Sequence, residues 1–382
     1  MKICFFVHNF LPFLGGVERY VYNLSKELTV RGHEIVIVTN NTVKVKTHDR
    51  MDEIEIYRLD CIDLLDGRFA IPKFNKTNRK IMNRVKSIKF DFVVVTPRFY
   101  IHSYIGARFA KKSNIPALVI EHGTGHFTVN NKMLDLAGEI YEHIITKLVR
   151  RNVNHFAGVS MACNEWLKHF NIAAELTLYN AIDLEGIEAV DDEKNINYRE
   201  KYNIPDDAVI ITYTGRLIAE KGIEKLIAAC LEKKYNREVY LLIAGDGDLL
   251  EKINTINNEK IVVLGRLDFS EVVNLLRQTD IYCLPTDYAE GLPTSVLEAI
   301  ACKSYVITTR AGGSKEVIID SGYGTILQEN TSDGISKAID KYITAPEKAN
   351  MAIENAYDRV SKKFTWVHTT DVFLNYVKNK LK

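Results

Sequence analysis

Residues 3–39 read ICFFVHNFLPFLGGVERYVYNLSKELTVRGHEIVIVT, and their patterning decides the fold. Ile3–Val7 is an unbroken apolar run of strand length, and Glu34–Thr39 is a second, rich in β-branched residues. Between them Val17, Tyr20, Val21, Leu24 and Leu28 recur at i, i+3, i+4, i+7 and i+11, the spacing of one helix face, and Gly32 supplies a stop. Strand, helix, strand in so short a span implies parallel strands joined by a crossover helix. Working outward, the same alternation predicts strands at Phe92–Thr96, Ala117–Glu121 and His155–Val159. A polar stretch, Asp183–Asp206, interrupts it, and a second series follows at Val209–Thr214, Val239–Ala244, Ile261–Leu264, Ile281–Leu284 and Tyr305–Thr308. The expectation is an α/β chain of two doubly wound, Rossmann-like parallel-sheet domains, 1–180 and 181–364, joined near residues 180–206 and facing across a cleft. Ligands in such sheets bind beyond the carboxyl ends of the strands. A last helix, about Thr365–Lys382, carries Trp366, Val367, Phe373, Leu374 and Val377 and is expected to pack back on the first domain.

The 382 residues are 46% hydrophobic and 26% charged, a globular balance that excludes a disordered or fibrous chain. The longest apolar runs, such as Val239–Ala244, fall far short of the ~18 residues of a membrane span. Met1–Val7 is too short for a signal-peptide core. Six cysteines are scattered without a close pair, which suits reduced thiols and a cytoplasmic protein better than disulfides or a zinc knuckle.

Net charge is +1, but residues 1–180 hold 25 Lys and Arg against 17 Asp and Glu, while the remainder holds 25 against 32. Arg68, Lys73, Lys76, Arg79, Lys80, Arg84, Lys86 and Lys89 lie between Asp66 and Asp91 with no acid among them. Ile81, Met82, Val85 and Ile88 fall at helical spacing in the run Lys73–Lys89, and Phe74 precedes them. This predicts a cationic amphipathic helix lying on an anionic membrane surface, peripheral on the cytoplasmic face. The competing reading is an ordinary helix whose apolar face belongs to the core. Nucleic acid is not expected as a partner, because no aromatic platform for base stacking is recognisable.

Two motifs carry chemistry. In Glu290-Gly-Leu-Pro-Thr-Ser-Val-Leu-Glu298, Pro293 suits the first turn of a helix that follows the strand Ile281–Leu284. Free N–H groups from Gly291 to Ser295, a segment that includes Leu292, Pro293 and Thr294, would form an anion site at the helix start. Two carboxylates around a phosphate-binding helix start suit a nucleotide sugar. Glu290 would take the sugar hydroxyls and Glu298 the ribose diol, unless they are only a helix-start charge and a solvated residue. In Gly215-Arg216-Leu-Ile-Ala-Glu-Lys221-Gly222 the strand Val209–Thr214 delivers two cations toward the expected cleft, where they would neutralise a diphosphate. A surface turn with routine charges is the alternative. Asp246-Gly-Asp248 imitates an Asp-x-Asp metal motif, but the flanking glycines read as a tight turn, so no metal is expected. No dinucleotide fingerprint follows the first strand, which argues against a nicotinamide enzyme.

Gly15-Gly16-Val17-Glu18, Asn180-Ala-Ile-Asp183, Gly215-Arg216…Glu220-Lys221-Gly222, Gly245-Asp246-Gly247 and Glu290…Glu298 occur in the order seen in family 4 retaining glycosyltransferases of the GT-B fold, which this chain resembles along nearly its whole length. The resemblance implies that Arg216 and Lys221 hold the donor diphosphate, Glu290 the donor sugar and Glu298 the ribose. It also implies that the Gly15-Gly16 loop closes over the donor phosphates and that His122, in Ile120-Glu-His-Gly-Thr124, is the active-site histidine. The family's usual Asn-Gly-Val is here Asn180-Ala181-Ile182, a structural departure. The loop at Gly265-Arg266 is expected to read the base through its main chain.

The expected function is transfer of a sugar, with retention, from a nucleoside diphosphate sugar to a glycan or lipid-linked acceptor, with no further cofactor. No carboxylate is placed as an obvious nucleophile, so departure and attack on the same face fit. The rivals are a non-catalytic nucleotide-sugar or glycan-binding module and a nucleotide-sugar epimerase on the same fold.

Overall fold

A computed structural model describes the chain except for residues 66, 129–130, 192–195 and 382. Two compact units form: Met1–Asn180 together with Trp366–Lys382, and Ala181–Thr365.

The first unit is built on β1 (Lys2–Val7), β2 (Glu34–Asn40), β3 (His48–Met51), β4 (Ile54–Leu59), β7 (Phe92–Thr96), β8 (Ala117–Glu121), β9 (Phe156–Gly158) and β10 (Leu176–Thr177), with a separate hairpin of β5 (Cys61–Leu64) and β6 (Phe69–Pro72). Strand order is β10-β9-β8-β7-β1-β2-β4-β3, parallel except for β3. Its helices include α1 (Gly16–Val30), α2 (Lys76–Ser87), α3 (Ile101–Lys112), α4 (Lys132–Arg150) and α5 (Met161–Leu167). Gly32 ends α1 as expected, with φ +78°; its N–H donates to Thr29 O and that of His33 to Leu28 O, which satisfies the last carbonyls.

The C-terminal helix Trp366–Lys380 belongs to this unit. Trp366 meets Tyr20 edge-on, Phe373 meets Phe92, and Thr369 donates to Tyr179 O. Arg31 pairs with Asp371 and donates to Val367 O.

The amphipathic face of α2 requires a correction. Val85 is fully buried, and Ile81, Met82 and Ile88 pack against the same core. That face covers the sheet and is not offered to lipid; of the predicted apolar set only Phe74 is exposed, at 96%. Burying an aliphatic side chain is worth about 1.5–3 kcal/mol, so an apolar stripe beside an open sheet goes to the core. The cations Lys76, Arg79, Lys80, Arg84, Lys86 and Lys89 remain exposed.

The second unit holds β11 (Val209–Thr214), β12 (Val239–Ala244), β13 (Ile261–Gly265), β14 (Ile281–Leu284), β15 (Tyr305–Thr308) and β16 (Thr325–Ile326) in the order β13-β12-β11-β14-β15-β16, all parallel. β11 therefore has β12 on one side and β14 on the other. Successive crossovers leave it in opposite directions, which opens a crevice at its carboxyl end.

The polar stretch Asp183–Asp206, read as a join, is folded into this unit. It forms helices Leu184–Glu188 and Tyr198–Lys201, and Tyr198 and Ile204 enter the core. Residues 192–195 of that stretch lie outside the described ones. Among the described residues, no helix is long and apolar enough to cross a membrane.

Candidate functional site

The site of the second unit assembles at the carboxyl ends of β11 and β14. After β11 the chain turns through Gly215, at φ +150°, and Arg216 O accepts from the Tyr213 hydroxyl at 2.7 Å. The Gly245-Asp246-Gly247 turn after β12 lies against this loop. A Cβ on Gly245 would meet Gly215 O at 1.9 Å, so only glycine allows the approach. Leu217 N donates to Asp246 O at 2.9 Å, and the Asp246 carboxylate accepts from its neighbour Gly247 N at 2.8 Å. Asp246 thus shapes a turn, as its sequence context suggested.

The chain then winds through a short 3-10 turn, Ala219–Lys221, to Gly222, whose φ of +74° only glycine adopts without cost. A Cβ there would strike Pro285 O, 1.9 Å away, in the loop that leaves β14. Asp287 N donates to Glu220 O at 2.8 Å, so the two loops are stitched by main chain.

The β14 loop returns the favour with Tyr288, whose ring lies 5.0 Å from the Arg216 guanidinium and 5.5 Å from Lys221 Nζ. Both cations thus flank one aromatic ring, whose π-face attracts positive charge. Lys221 pairs with Glu290, and both side chains are largely buried. Burial, and then the Arg216 charge beside it, pulls the Lys221 ammonium down to about 8. A third loop, after β15, supports Glu290: Gly313 N donates to Gly291 O at 2.7 Å, and a Cβ on Gly312 would meet Glu290 O at 2.3 Å.

The helix Thr294–Ala301 starts one residue later than expected, with Pro293 at its N-cap. No side chain caps it, and an uncapped helix start is what an anion site requires. Leu292 is buried beneath. Glu298 stands on the second turn, half-buried; its charge, after burial, helps to push the Tyr282 hydroxyl up, and that hydroxyl bonds Thr214 O at 3.2 Å. Glu298 therefore sits beside the end of β11. Arg266 is exposed after β13, two strands away.

In the first unit, Gly15 is the N-cap of α1 and Gly16 its first residue. A Cβ on Gly15 would lie 2.3 Å from Glu18 Oε2, so the carboxyl folds over the glycine. Glu18 is buried, and that burial raises it to about 7. His122 follows β8. Its N–H and that of Gly123 donate to Glu121 Oε1 at 3.0 and 3.1 Å. Glu121 is buried and paired with Arg98, which also binds Glu142 at 2.8 Å. The His122 ring meets Tyr20 edge-on at 4.7 Å, and burial lowers it to about 3, so the imidazole is neutral at physiological pH.

Arg216, Lys221, Glu290, Gly291 and the start of the Thr294 helix come together in one unit; Gly15, Gly16 and His122 belong to the other. Sequence reading missed Tyr288, whose only signal was an aromatic two residues before Glu290. It also missed Arg98 and Glu121, which show no periodicity because a buried ion pair sits where apolar residues are expected.

A family model described as Glycosyltransferase Family 4 matches residues 14–185, and one described as Glycosyl transferases group 1 matches residues 194–359. An uncharacterized glycosyltransferase of Methanocaldococcus jannaschii is 25% identical over 380 residues, covering 96% of this chain and 95% of that one. The GPI3 subunit of phosphatidylinositol N-acetylglucosaminyltransferase of Saccharomyces cerevisiae is 24% identical over 385 residues, covering 96% and 81%. Among solved structures, Anabaena HepE in complex with UDP superposes with a TM-score of 0.78 at 16% identity, covering 99% of this chain and 100% of that one.

Proposed function

Because the chain belongs to family 4 of the glycosyltransferases, with the GT-B fold, we propose that it moves a sugar from a nucleoside diphosphate sugar to a glycan or lipid-linked acceptor and keeps the anomeric configuration. One observation carries this reading. Arg216 and Lys221 stand on the same tyrosine at the crevice beside β11, and Lys221 is already paired with the carboxylate of Glu290.

A diphosphate entering there takes the ammonium of Lys221 and the guanidinium of Arg216, with the uncapped start of the Thr294 helix as a further anion site. Glu290, released from Lys221, accepts hydrogen bonds from the donor sugar. Glu298 takes the ribose hydroxyls, and the Gly265-Arg266 main chain reads the base. As the bond from the anomeric carbon to the diphosphate breaks, negative charge gathers on the phosphate oxygens, where these donors are preorganised. The acceptor hydroxyl attacks on the face that the diphosphate leaves, forming the new C–O bond as its proton passes to the departing phosphate oxygen. Two cations and a helix start balance the diphosphate without a divalent ion. Gly15, Gly16 and His122 of the first unit are assigned to the same reaction through the family motifs, His122 as a neutral imidazole.

The UDP held by HepE supports a nucleotide donor, and the name of the yeast relative supports a lipid-linked acceptor. Met133, Leu136, Ile140 and Ile144 recur on one side of α4 and are all exposed, an apolar stripe that suits a lipid surface. The cations of α2 would add attraction to anionic headgroups at the cytoplasmic face.

The test is release of free nucleoside diphosphate from a panel of nucleotide sugars, with and without acceptor. Acceptor-dependent release supports a transferase. A binding module releases none, and an epimerase alters the donor without acceptor.

A further inference from the structure

We propose that His126, Glu139, His143 and His169 form a binding site for a divalent cation of the zinc class in the first unit. The four side chains come from three segments: the loop after β8, two successive turns of α4, and the 3-10 turn Lys168–Phe170 that follows α5. Each offers one ligand atom, and these atoms all lie within 4.8 Å of one another. Glu139 and His143 are four residues apart on α4, which places both on one face.

The electronic state of His126 points to a cation. Its Nδ1 lies 3.1 Å from Glu142 Oε2. Glu142 is buried, binds Arg98 at 2.8 Å and also accepts from Phe127 N at 2.7 Å. An ionised carboxylate only accepts, so Nδ1 carries the proton and donates. In the neutral ring, Nε2 then presents a lone pair. That atom is buried, has no hydrogen-bond partner among the described residues, and lies 3.5 Å from Glu139 Oε1. Two electron-pair donors thus face each other, and either a second proton on His126 or a metal ion between them relieves the repulsion.

The surroundings favour the metal. His143 and His169 add two more imidazoles to the same point, and three protonated rings there would repel one another. Trp166 stacks on His169 with ring centroids 4.8 Å apart.

Three imidazoles and one carboxylate match zinc and its first-row neighbours, whereas magnesium and calcium demand oxygen ligands. Tetrahedral zinc with bonds of about 2.0–2.1 Å needs ligand atoms roughly 3.3 Å apart. The exposed chains of His143 and His169 can rotate to close that difference. Glu142 holding the far nitrogen of His126 is the carboxylate support that orients a metal-bound histidine. Bound metal would tie α4 and the end of α5 to the loop that begins at His122, a cross-link apart from the diphosphate cations.

The experiment uses the full chain without an affinity tag, stripped with chelator and titrated with Co2+ as a spectroscopic probe. Intense visible bands of tetrahedral Co2+, saturating at one ion per chain and bleached by Zn2+, are expected, and Zn2+ should raise the melting temperature. His143→Gln and His169→Gln change exposed side chains, so both variants should fold as wild type by circular dichroism while losing the bands and the Zn2+ shift. Absence of bands in wild type, or equal binding by either variant, overturns the proposal. So does a His126 that is protonated by NMR and indifferent to added Zn2+, which would leave an ordinary ion pair with Glu139.

Discussion

Replacing Glu18 by Gln should stabilise the first unit at neutral pH and leave it unchanged in acid. Glu18 lies in the first turn of α1, buried and folded against Gly15, and burial lifts its carboxyl from 4.5 to about 7. Between those values the folded state keeps a proton that the unfolded chain has released. Stability therefore falls as pH rises through this window. At 1.36 kcal/mol per pH unit, the penalty reaches about 3 kcal/mol above pH 7 and vanishes below pH 4.5. Gln cannot ionise and has nearly the same shape, so Glu18→Gln removes the penalty at no cost in volume. For a unit of this size, about 3 kcal/mol corresponds to roughly 6–12 °C in melting temperature. Both tryptophans, Trp166 and Trp366, belong to this unit, so tryptophan fluorescence reports its unfolding. Urea titrations of both proteins from pH 4.5 to pH 8 should show the variant's advantage growing with pH. A constant difference, or wild type gaining on the variant as pH rises, would refute the cost of burying an ionised carboxyl at this position.

Arg216→Ala and Lys221→Ala should each lower turnover by 10²–10³-fold, about 2.7–4 kcal/mol in the barrier, while the melting temperature barely moves; wild-type turnover in both would remove them from the diphosphate. Because the Lys221 ammonium is pulled down to about 8, kcat/KM should fall on an alkaline limb near that pH, and Lys221→Arg should carry the limb upward. Glu298→Ala should chiefly raise the donor KM, and Glu290→Ala should lower kcat as well; the reverse pattern would exchange their roles. Chelator should leave diphosphate release by His143→Gln and His169→Gln intact, and a loss restored by manganese would instead bring Asp246 and Asp248 forward as ligands. Liposomes of anionic lipid should sediment the protein, less so when Lys76, Arg79, Lys80 and Arg84 become Ser, when Met133, Leu136, Ile140 and Ile144 become Ser, or as salt shortens screening to roughly 8 Å. No sedimentation at low salt would separate the enzyme from the membrane.

The repeating strands and helices were legible because each buried parallel strand is a short apolar run, and each helix between them is marked by one apolar face. The chain ends of β11 and β14, with their glycines, cations and carboxylates, stood out for the same reason: they break that rhythm with residues no core requires. Short or polar strands escaped. β3 carries His48, Asp49 and Arg50 at a sheet edge, and β4 hides Arg58, fully buried with its guanidinium donating to Leu11 O at 2.9 Å. A buried charge held by the distant carbonyls of Leu11 and Lys46 and by the Asp49 carboxylate looks, in sequence, like a surface residue.

Sequence by itself determined that the two motifs follow strand ends, since one apolar run stops at Gly215 and the other at Leu284, a short loop before Glu290. Only the tertiary structure decided that those ends are neighbours. β11 and β14 are separated by two whole strand–helix units, and it is the order β12-β11-β14 that sets Arg216 and Lys221 against Tyr288 and Glu290. Strand order depends on which faces bury most area when all the crossovers pack together, a property of the whole sheet that no local pattern holds. The same holds for α2: its amphipathic spacing was plain, but whether lipid or core met the apolar face depended on the open sheet surface beside it. The histidines at 126, 143 and 169 show it most plainly, for nothing in their spacing reveals that one loop, one helix and one 3-10 turn bring their ring nitrogens to a single point.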